Sequence, residues 1–143
     1  MKDVQKLLND IHPLKEDYLK QAKQKLDSLT KPPGSLGKLE DIAQRYAAIR
    51  EDLNPSIAKK VIFTFAGDHG VVEEGVSAYP GEVTIQMVLN MLSGGAAINV
   101  LAGHVGAEVV VVDIGVAHDF EPAEGLVINK IGYGTKNFFK GPA

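Results

Sequence analysis

The sequence VIFTFAGDHGVVEEGVSAYPGEVTIQMVLNMLSGGAAIN occupies residues 61–99 and decides the fold. Its first six residues form a short apolar run rich in β-branched and aromatic side chains, which predicts a strand covered on both faces. A polar loop of sequence GDHG follows, and from Glu82 onward apolar residues recur at helical spacing. Ligands collect at the carboxyl ends of strands in an open α/β sheet, so we expect the functional site in this loop.

A second strand of similar design is predicted over residues 108–112, and it also runs into an acid, Asp113, and a glycine. A third short strand is predicted around residues 126–130. Strands joined by a helix indicate a βαβ unit and therefore a parallel sheet. Neither of the first two strands is followed by G-x-G-x-x-G, so a dinucleotide site has little support. Asp113 fits either a polar residue at the ligand edge of the sheet or a turn former.

The first fifty residues have apolar side chains at helical spacing, which predicts helices over residues 4–11, 14–29 and 39–50. Between the last two, the loop KPPGSLG breaks the pattern, because proline removes backbone donors and glycine allows left-handed turns. Its N–H groups, helped by Lys31 or Lys38, are a candidate anion site. A plain interhelical linker is favoured, because the loop lacks Walker spacing and does not follow a strand.

Composition limits the possible functions. The chain has 143 residues, of which 45% are hydrophobic, and a formal net charge of −3. These values are typical of a globular domain rather than a binder of nucleic acid or a membrane surface. The absence of cysteine excludes a disulfide framework, a thiolate metal site and a cysteine nucleophile. With no apolar run long enough to span a bilayer and no signal-peptide core, we expect a cytoplasmic protein.

Asp68 and His69 are candidate functional groups in the loop after the first strand. The acid and the imidazole suit acid–base chemistry or polar binding. In the alternative interpretation, Asp68 caps a turn and His69 bonds to the backbone.

A second candidate group surrounds the start of the predicted helix. Ser77, Tyr79 and Pro80 bring a hydroxyl, a phenol and a rigid ring to the loop, while Gln86 and Met87 follow on the helix. Such residues are able to line a slot for a flat, mostly apolar molecule with one or two polar atoms. The alternative is a core helix whose methionines fill gaps.

Four segments occur in this order and at this approximate spacing in one known family: KPPGSLGKLE (31–40), AGDHGV (66–71), VSAYP with the helix start after it (76–91), and GGAAINVLA (94–102). Together they resemble the N-terminal part of the nicotinate-nucleotide:dimethylbenzimidazole phosphoribosyltransferase family, also called CobT. The resemblance covers almost the whole chain from Leu29 onward. Four ordered segments are far more specific than any one of them.

The resemblance implies a Rossmann-like parallel sheet with flanking helices, a smaller helical domain assembled from both ends of the chain, and a homodimer. Residues 1–55 then form the N-terminal helical segment of the small domain. Residues 56–143 form the first part of the α/β domain. Members of the family are much longer, so we expect this chain to be a fragment that is incomplete at its C-terminus.

The implied reaction moves phosphoribose from nicotinate mononucleotide to 5,6-dimethylbenzimidazole and gives α-ribazole 5′-phosphate and nicotinate, without a metal or a cofactor. The catalytic carboxylate and most of the glycine-rich phosphate site belong to the C-terminal part of the family. We therefore assign no catalytic residue in this chain, not even Glu73, Glu74 or Glu82, and expect the fragment alone to be inactive.

The resemblance also implies one wall of the benzimidazole slot. Pro80 and Met87 contact the flat ring, and Gln86 orients a polar group. Ser77 and Tyr79 lie at the rim. Asp68 and His69 are expected near the same cleft.

Two other functions fit the residues. One is a hydrolase or isomerase that uses Asp68 and His69 as an acid–base pair. The other is a small-ligand binding or assembly module that is complete in these residues.

Overall fold

The structure, a computed structural model, describes residues 4–142. Residues 1–3 of the predicted helical segment and residue 143 of the predicted α/β segment lie outside the described residues. The chain divides into two compact units after Ile57, close to the predicted boundary at residue 55. The elements in chain order are α1 (Val4–Asn9), α2 (Glu16–Asp27), α3 (Lys38–Arg50), β1 (Lys60–Gly67), a 3₁₀ helix (Gly70–Glu74), α4 (Glu82–Leu92), α5 (Ala97–Val105), β2 (Ala107–Gly115) and β3 (Leu126–Ile128).

The first unit is helical, as its apolar spacing predicts. α2 packs against α3, and the buried residues of the two helices are all alanines: Ala22, Ala47 and Ala48. Small side chains let two helices approach closely. The Gln44 amide also donates a hydrogen bond of 2.8 Å to the Leu19 carbonyl oxygen. The first and second helices are shorter than predicted: α1 ends at Asn9 and α2 begins at Glu16, because the chain around Pro13 is not helical, and α2 ends at Asp27.

The second unit contains a three-stranded sheet of order β1-β2-β3 with both pairs parallel. The predicted α/β class, a parallel sheet with flanking helices, is confirmed. Ala66 pairs with Asp113, and a β-bulge then places Gly67 opposite Gly115. The loops that follow β1 and β2 therefore leave the same edge of the sheet side by side.

After the 3₁₀ helix, the connection from β1 to β2 contains two α-helices, where the apolar pattern predicts one. Gly94 adopts φ +79°, a left-handed conformation that ends the helical run, so α4 stops before α5 begins. Asn99 joins the two helices: its amide donates to the Met91 carbonyl, and its oxygen accepts the Ala96 N–H. The small residues at 94–97 therefore lie at the break between the two helices, and Ala96 among them is buried.

The segment Glu82–Val105 contains an 18-residue window with a mean hydropathy of 1.4, and it is long and apolar enough to cross a membrane by length and composition alone. The expectation that no such run exists is therefore wrong. The structure nevertheless divides this segment into α4 and α5, each far shorter than a bilayer-spanning helix, and packs both against the sheet. Core helices also pass a test of length and composition, so this feature is weak evidence for a membrane span.

The core lies between one face of the sheet and α4. It contains Ala66, Val88, Val111 and Val116, with Ile85, Met91, Leu92, Phe120 and Leu126 packed against them. Strand residues alternate between faces, and Phe63 and Phe65 belong to the face opposite Ala66. Their side chains are 58% and 64% exposed. The prediction that this strand is covered on both faces is wrong for the described residues, because no described element packs over these two rings.

Candidate functional site

A cavity of about 530 Å³ opens at the carboxyl end of β1, beside the start of α4. Its lining is mostly aliphatic and aromatic, with few polar groups, which is the usual composition of a small-molecule site. The lining residues are Gly67, Asp68, His69, Val71, Val72, Val76, Ser77, Tyr79, Pro80, Gly81, Val83, Thr84 and Met87.

The helical wall of the cavity follows from the 3.6-residue period. Pro80, Val83, Thr84 and Met87 are spaced at i, i+3, i+4 and i+7, so they share one face at the N-terminal end of α4. Gln86 is the one predicted site residue that does not line the cavity. Its neighbour Met87 faces the cavity, and consecutive residues are separated by about 100° around a helix, so the Gln86 side chain points elsewhere and is exposed.

The loop before α4 is held by its own hydrogen bond. The Tyr79 N–H donates to Ser77 Oγ over 3.2 Å, which closes a tight local turn. Pro80 then fixes the backbone at the start of the helix. The Tyr79 ring is 69% exposed, at the open side of the cavity. Six of the seven predicted site residues therefore line one cavity, and their binding role stays a prediction.

The cavity also has an aliphatic wall outside α4, which was not predicted. Val71 and Val72 belong to the 3₁₀ helix, and Val76 follows it. A left-handed Gly75, at φ +70°, turns the chain between them. The sequence does contain an indication of this wall, since a valine pair inside an otherwise polar glycine loop needs an apolar contact.

Asp68 is bonded to backbone rather than to its neighbour His69. Its Oδ2 accepts the N–H of Ala117 at 2.8 Å, and its own N–H donates to the Gly115 carbonyl oxygen at 2.9 Å. Among the hydrogen bonds of residues 4–142, none joins the Asp68 and His69 side chains. The arrangement therefore gives no support to a hydrolase that uses them as an acid–base pair.

His69 is exposed and faces two cavities. The second, of about 460 Å³, shares Gly67, Asp68 and His69 with the first. The segment around Thr135 forms its far side and pairs with His69 through an isolated parallel bridge. The end of β1 thus separates two concave surfaces at the ligand edge of the sheet.

Asp113 is a fully buried carboxylate at the end of β2. Burial alone would raise its pKa, but hydrogen bonds from Lys130 and from the N–H groups of Val116 and Gly115 outweigh that effect and hold the pKa below its usual value. The sequence left two interpretations of Asp113 open, a polar residue at the ligand edge of the sheet or a turn former. Its hydrogen bonds from the backbone of Gly115 and Val116 fit the turn former. The ion pair with Lys130 was not predicted.

Two acidic residues near the cavity already have partners. Lys140 lies 2.6 Å from Glu73, and the Asn137 amide donates to Glu74 at 2.6 Å. The hydrogen bonds from Lys140 and Asn137 lower the pKa of Glu73. That neither glutamate is catalytic stays a prediction. Within residues 4–142, no three His, Asp or Glu side chains are placed to hold a metal ion.

The loop at residues 31–37 is bonded to a carboxylate of α3. Glu40 accepts hydrogen bonds from Lys31 at 2.8 Å and from the Leu36 N–H at 3.0 Å. The Lys31 contact is the main reason that the pKa of Glu40 is lowered. Because this carboxylate occupies the donors that an external anion would need, the linker interpretation is supported.

The chain is similar to proteins of one family. A family model described as phosphoribosyltransferase, DBI_PRT, matches residues 11–143. A relative from Geobacter sp. strain M21, named nicotinate-nucleotide--dimethylbenzimidazole phosphoribosyltransferase, is 64% identical over 140 residues, and one of the same name from Chlorobaculum parvum is 53% identical over 139. The crystal structure of CobT from Thermus thermophilus matches with a TM-score of 0.82 and 47% identity over 89% of this chain.

The matches cover only part of each relative. The alignments include 98% and 97% of this chain but 40% and 39% of the Geobacter and Chlorobaculum proteins, and 38% of the Thermus structure. The chain therefore spans about 40% of the length of the curated relatives that it matches.

Proposed function

The chain belongs to the DBI_PRT phosphoribosyltransferase family, and from this membership we propose that it forms the base-binding part of an enzyme that transfers phosphoribose from nicotinate mononucleotide to 5,6-dimethylbenzimidazole. The products are α-ribazole 5′-phosphate and nicotinate, and the reaction serves the synthesis of the cobalamin lower ligand. The observation that carries the proposal is the cavity beside Tyr79, Pro80 and Met87, whose apolar walls and volume suit a flat bicyclic base.

The reaction is a displacement at the anomeric carbon. The bond from that carbon to the pyridine nitrogen breaks, its electron pair leaves with nicotinate, and the azole nitrogen forms the new bond. A general base must remove the proton from the other ring nitrogen, so that the attacking nitrogen is more nucleophilic and the product ring is neutral. We place this base, a carboxylate, in the part of the family's length that the present residues do not cover.

The present residues contribute binding and orientation. Pro80 and Met87 would contact the ring, and burial of about 100 Å² of apolar area would favour binding by about 2.5 kcal/mol. Tyr79 and Ser77 would border the open side. A ring held in one position presents its nitrogen to the second substrate, which lowers the entropy cost of the reaction. A role for Gln86 in orienting a polar group remains part of the proposal, although its side chain lies outside the cavity.

We place the enzyme in the cytoplasm as a homodimer that acts on two small molecules, without nucleic-acid or membrane partners. A net charge of −3 and the absence of cysteine support this setting.

A chimera tests the proposal. Residues 1–143 would replace the matching segment of the 64% identical Geobacter sp. strain M21 protein, and α-ribazole 5′-phosphate would be measured by mass spectrometry. We expect the chimera to form product at a rate within tenfold of the unaltered Geobacter protein. The 143-residue chain alone should form none. A folded chimera without activity, or product formation by the chain alone, would contradict the proposal.

A further inference from the structure

Asp68 connects its own loop to two other segments, residues 115–117 and 134–135, at the ligand edge of the sheet. Its N–H donates to the carbonyl oxygen of Gly115, the last residue of β2, and its carbonyl oxygen accepts the Thr135 N–H at 3.0 Å. Its carboxylate accepts the Ala117 N–H at 2.8 Å. The third segment also lies close by, since a Cβ placed on Gly134 would come within 3.3 Å of the Asp68 carbonyl oxygen. No substituent larger than hydrogen fits there without a shift.

The segment at residues 115–117, which Asp68 holds, is also fixed by Asp113. Asp113 Oδ1 accepts the N–H groups of Gly115 and Val116 at 3.0 and 2.8 Å. The next N–H along the chain, that of Ala117, goes to Asp68. Three consecutive backbone donors therefore end on two carboxylates, one from β2 and one from the loop after β1.

This network borders the cavity of about 530 Å³ in which we propose that the base binds, called the base cavity below. Asp68 and His69 line the cavity, and the 3₁₀ helix that begins after His69 carries the valine wall, Val71 and Val72. A change in the Asp68 backbone would displace both. Among the described residues only Oδ2 of Asp68 has a hydrogen-bond partner. An amide nitrogen could therefore replace Oδ1 without breaking a hydrogen bond.

We infer that Asp68 is a positioning residue for the base cavity: its carboxylate anchors Ala117 and thereby sets the position of His69 and the valine wall, without carrying a proton. This inference rests on the proposed function. It predicts that an acceptor oxygen is needed at this position and that a negative charge is not.

Asp68→Asn and Asp68→Ala separate these requirements. Asparagine keeps an acceptor oxygen for the Ala117 N–H but has no titratable proton, whereas alanine removes the acceptor. In the chimera, we expect alanine to raise KM for 5,6-dimethylbenzimidazole at least tenfold while KM for nicotinate mononucleotide changes less than threefold. Asparagine should restore KM to within threefold of the parent and keep the parent's pH profile. A proton-carrying role would instead make both variants equally defective.

Asp119→Ala is the matched control, because its carboxylate bonds only to Tyr133 at 2.7 Å among the described contacts and does not line the cavity. It should leave both KM values unchanged. An effect as large as that of Asp68→Ala would show that any lost acidic residue has this consequence, and the inference would fail.

Amide hydrogen exchange on the 143-residue chain gives a readout that does not depend on activity. We expect the Ala117 N–H to lose protection in Asp68→Ala and keep it in Asp68→Asn, with the His69 ring resonances shifted only in the alanine variant. If the parent chimera is inactive, the proposed function fails, and these spectra still decide the inference. Unchanged Ala117 protection in both variants would overturn it.

Discussion

The ammonium group of Lys130 lies 2.7 Å from Oδ2 of Asp113, and the two side chains are 12% and 0% exposed. Lys130 also donates to the carbonyl oxygens of Val116 and His118. Lys130 thus ties the chain just after β3 to β2 through the ion pair, and to the loop after β2, which Asp68 also holds, through the two carbonyl oxygens. A buried pair with further hydrogen bonds of this kind has a strong effect when one partner is removed.

Replacing Lys130 with methionine should lower the free energy of unfolding by about 3–5 kcal/mol, because Asp113 would be left as an uncompensated buried charge. Urea unfolding measures this change. Adding Asp113→Asn to the same chain should recover at least half of the loss, since the buried charge is then removed. The matched control is Lys140→Met, which breaks an exposed pair with Glu73 and should have little effect. Equal losses for the two lysine variants would contradict this account.

Acid should weaken the fold in part through Asp113. Its pKa is lower in the folded chain than the value of about 3.9 expected in the unfolded chain. The stability it contributes is therefore fully present above the unfolded pKa and is lost as the pH falls through the folded pKa. Between about pH 5 and pH 3, the parent should lose more unfolding free energy than Asp113→Asn. Parallel curves of stability against pH for the two proteins would contradict this expectation.

The helices and strands could be predicted from the sequence, because apolar residues at a period of 3.6 indicate helices and short β-branched runs indicate strands. The same periodicity places Pro80 and Met87 on one helix face, so most of the cavity's predicted residues come together. Gln86 shows the limit of that reasoning. The resemblance assigns it a role, but the helix geometry points it to solvent.

Other features depend on contacts between distant parts of the sequence. No local pattern pairs Asp113 with Lys130 or directs the Asp68 carboxylate to Ala117, because side-chain partners are set by strand register and loop path. The exposure of Phe63 and Phe65 is similar: an apolar run predicts burial but does not indicate which part of a polypeptide covers each face.

Gly70→Ala should destabilise the second unit by about 1–3 kcal/mol, as overpacking does. A Cβ at this position would lie 2.6 Å from the Asn137 nitrogen and 2.7 Å from the Thr135 carbonyl oxygen, both backbone atoms. Gly103→Ala is the control, since a Cβ there meets nothing within 4 Å and alanine favours the helix by about 0.5–1 kcal/mol. Thermal melts should move in opposite directions, and a shift of the same sign for both would contradict the close backbone approach at Gly70.

Thr64→Val should stabilise the chain by about 1 kcal/mol. The Thr64 hydroxyl on β1 is buried and has no hydrogen-bond partner among the described residues, so it carries a desolvation cost without compensation. Valine has nearly the same shape and also favours strands. Urea unfolding would show a higher midpoint with an unchanged slope, and Thr64→Ser, which keeps the hydroxyl and removes a methyl group, should lower the midpoint. Destabilisation by valine would mean that this hydroxyl has a partner.

Met87→Lys tests the base cavity directly. Met87 is 41% exposed and lines the cavity from α4. A lysine ammonium would keep its water shell and remove about 50 Å² of apolar contact from the ring, which corresponds to about 1.3 kcal/mol. We expect about a tenfold loss of affinity for 5,6-dimethylbenzimidazole and less than a threefold loss for nicotinate mononucleotide, measured by calorimetry on the chimera.

The matched control for this change is Leu89→Lys, two residues further along α4, where the side chain is 53% exposed and does not line the cavity. The same charge is added to the same helix, so a general electrostatic effect would appear in both variants. Only a contact between the base and residue 87 produces a loss that is confined to Met87→Lys and to the azole substrate. Two results would contradict a contact between the base and Met87. One is an equal loss of affinity for both ligands in a folded Met87→Lys protein, and the other is an equal loss of azole affinity in Leu89→Lys.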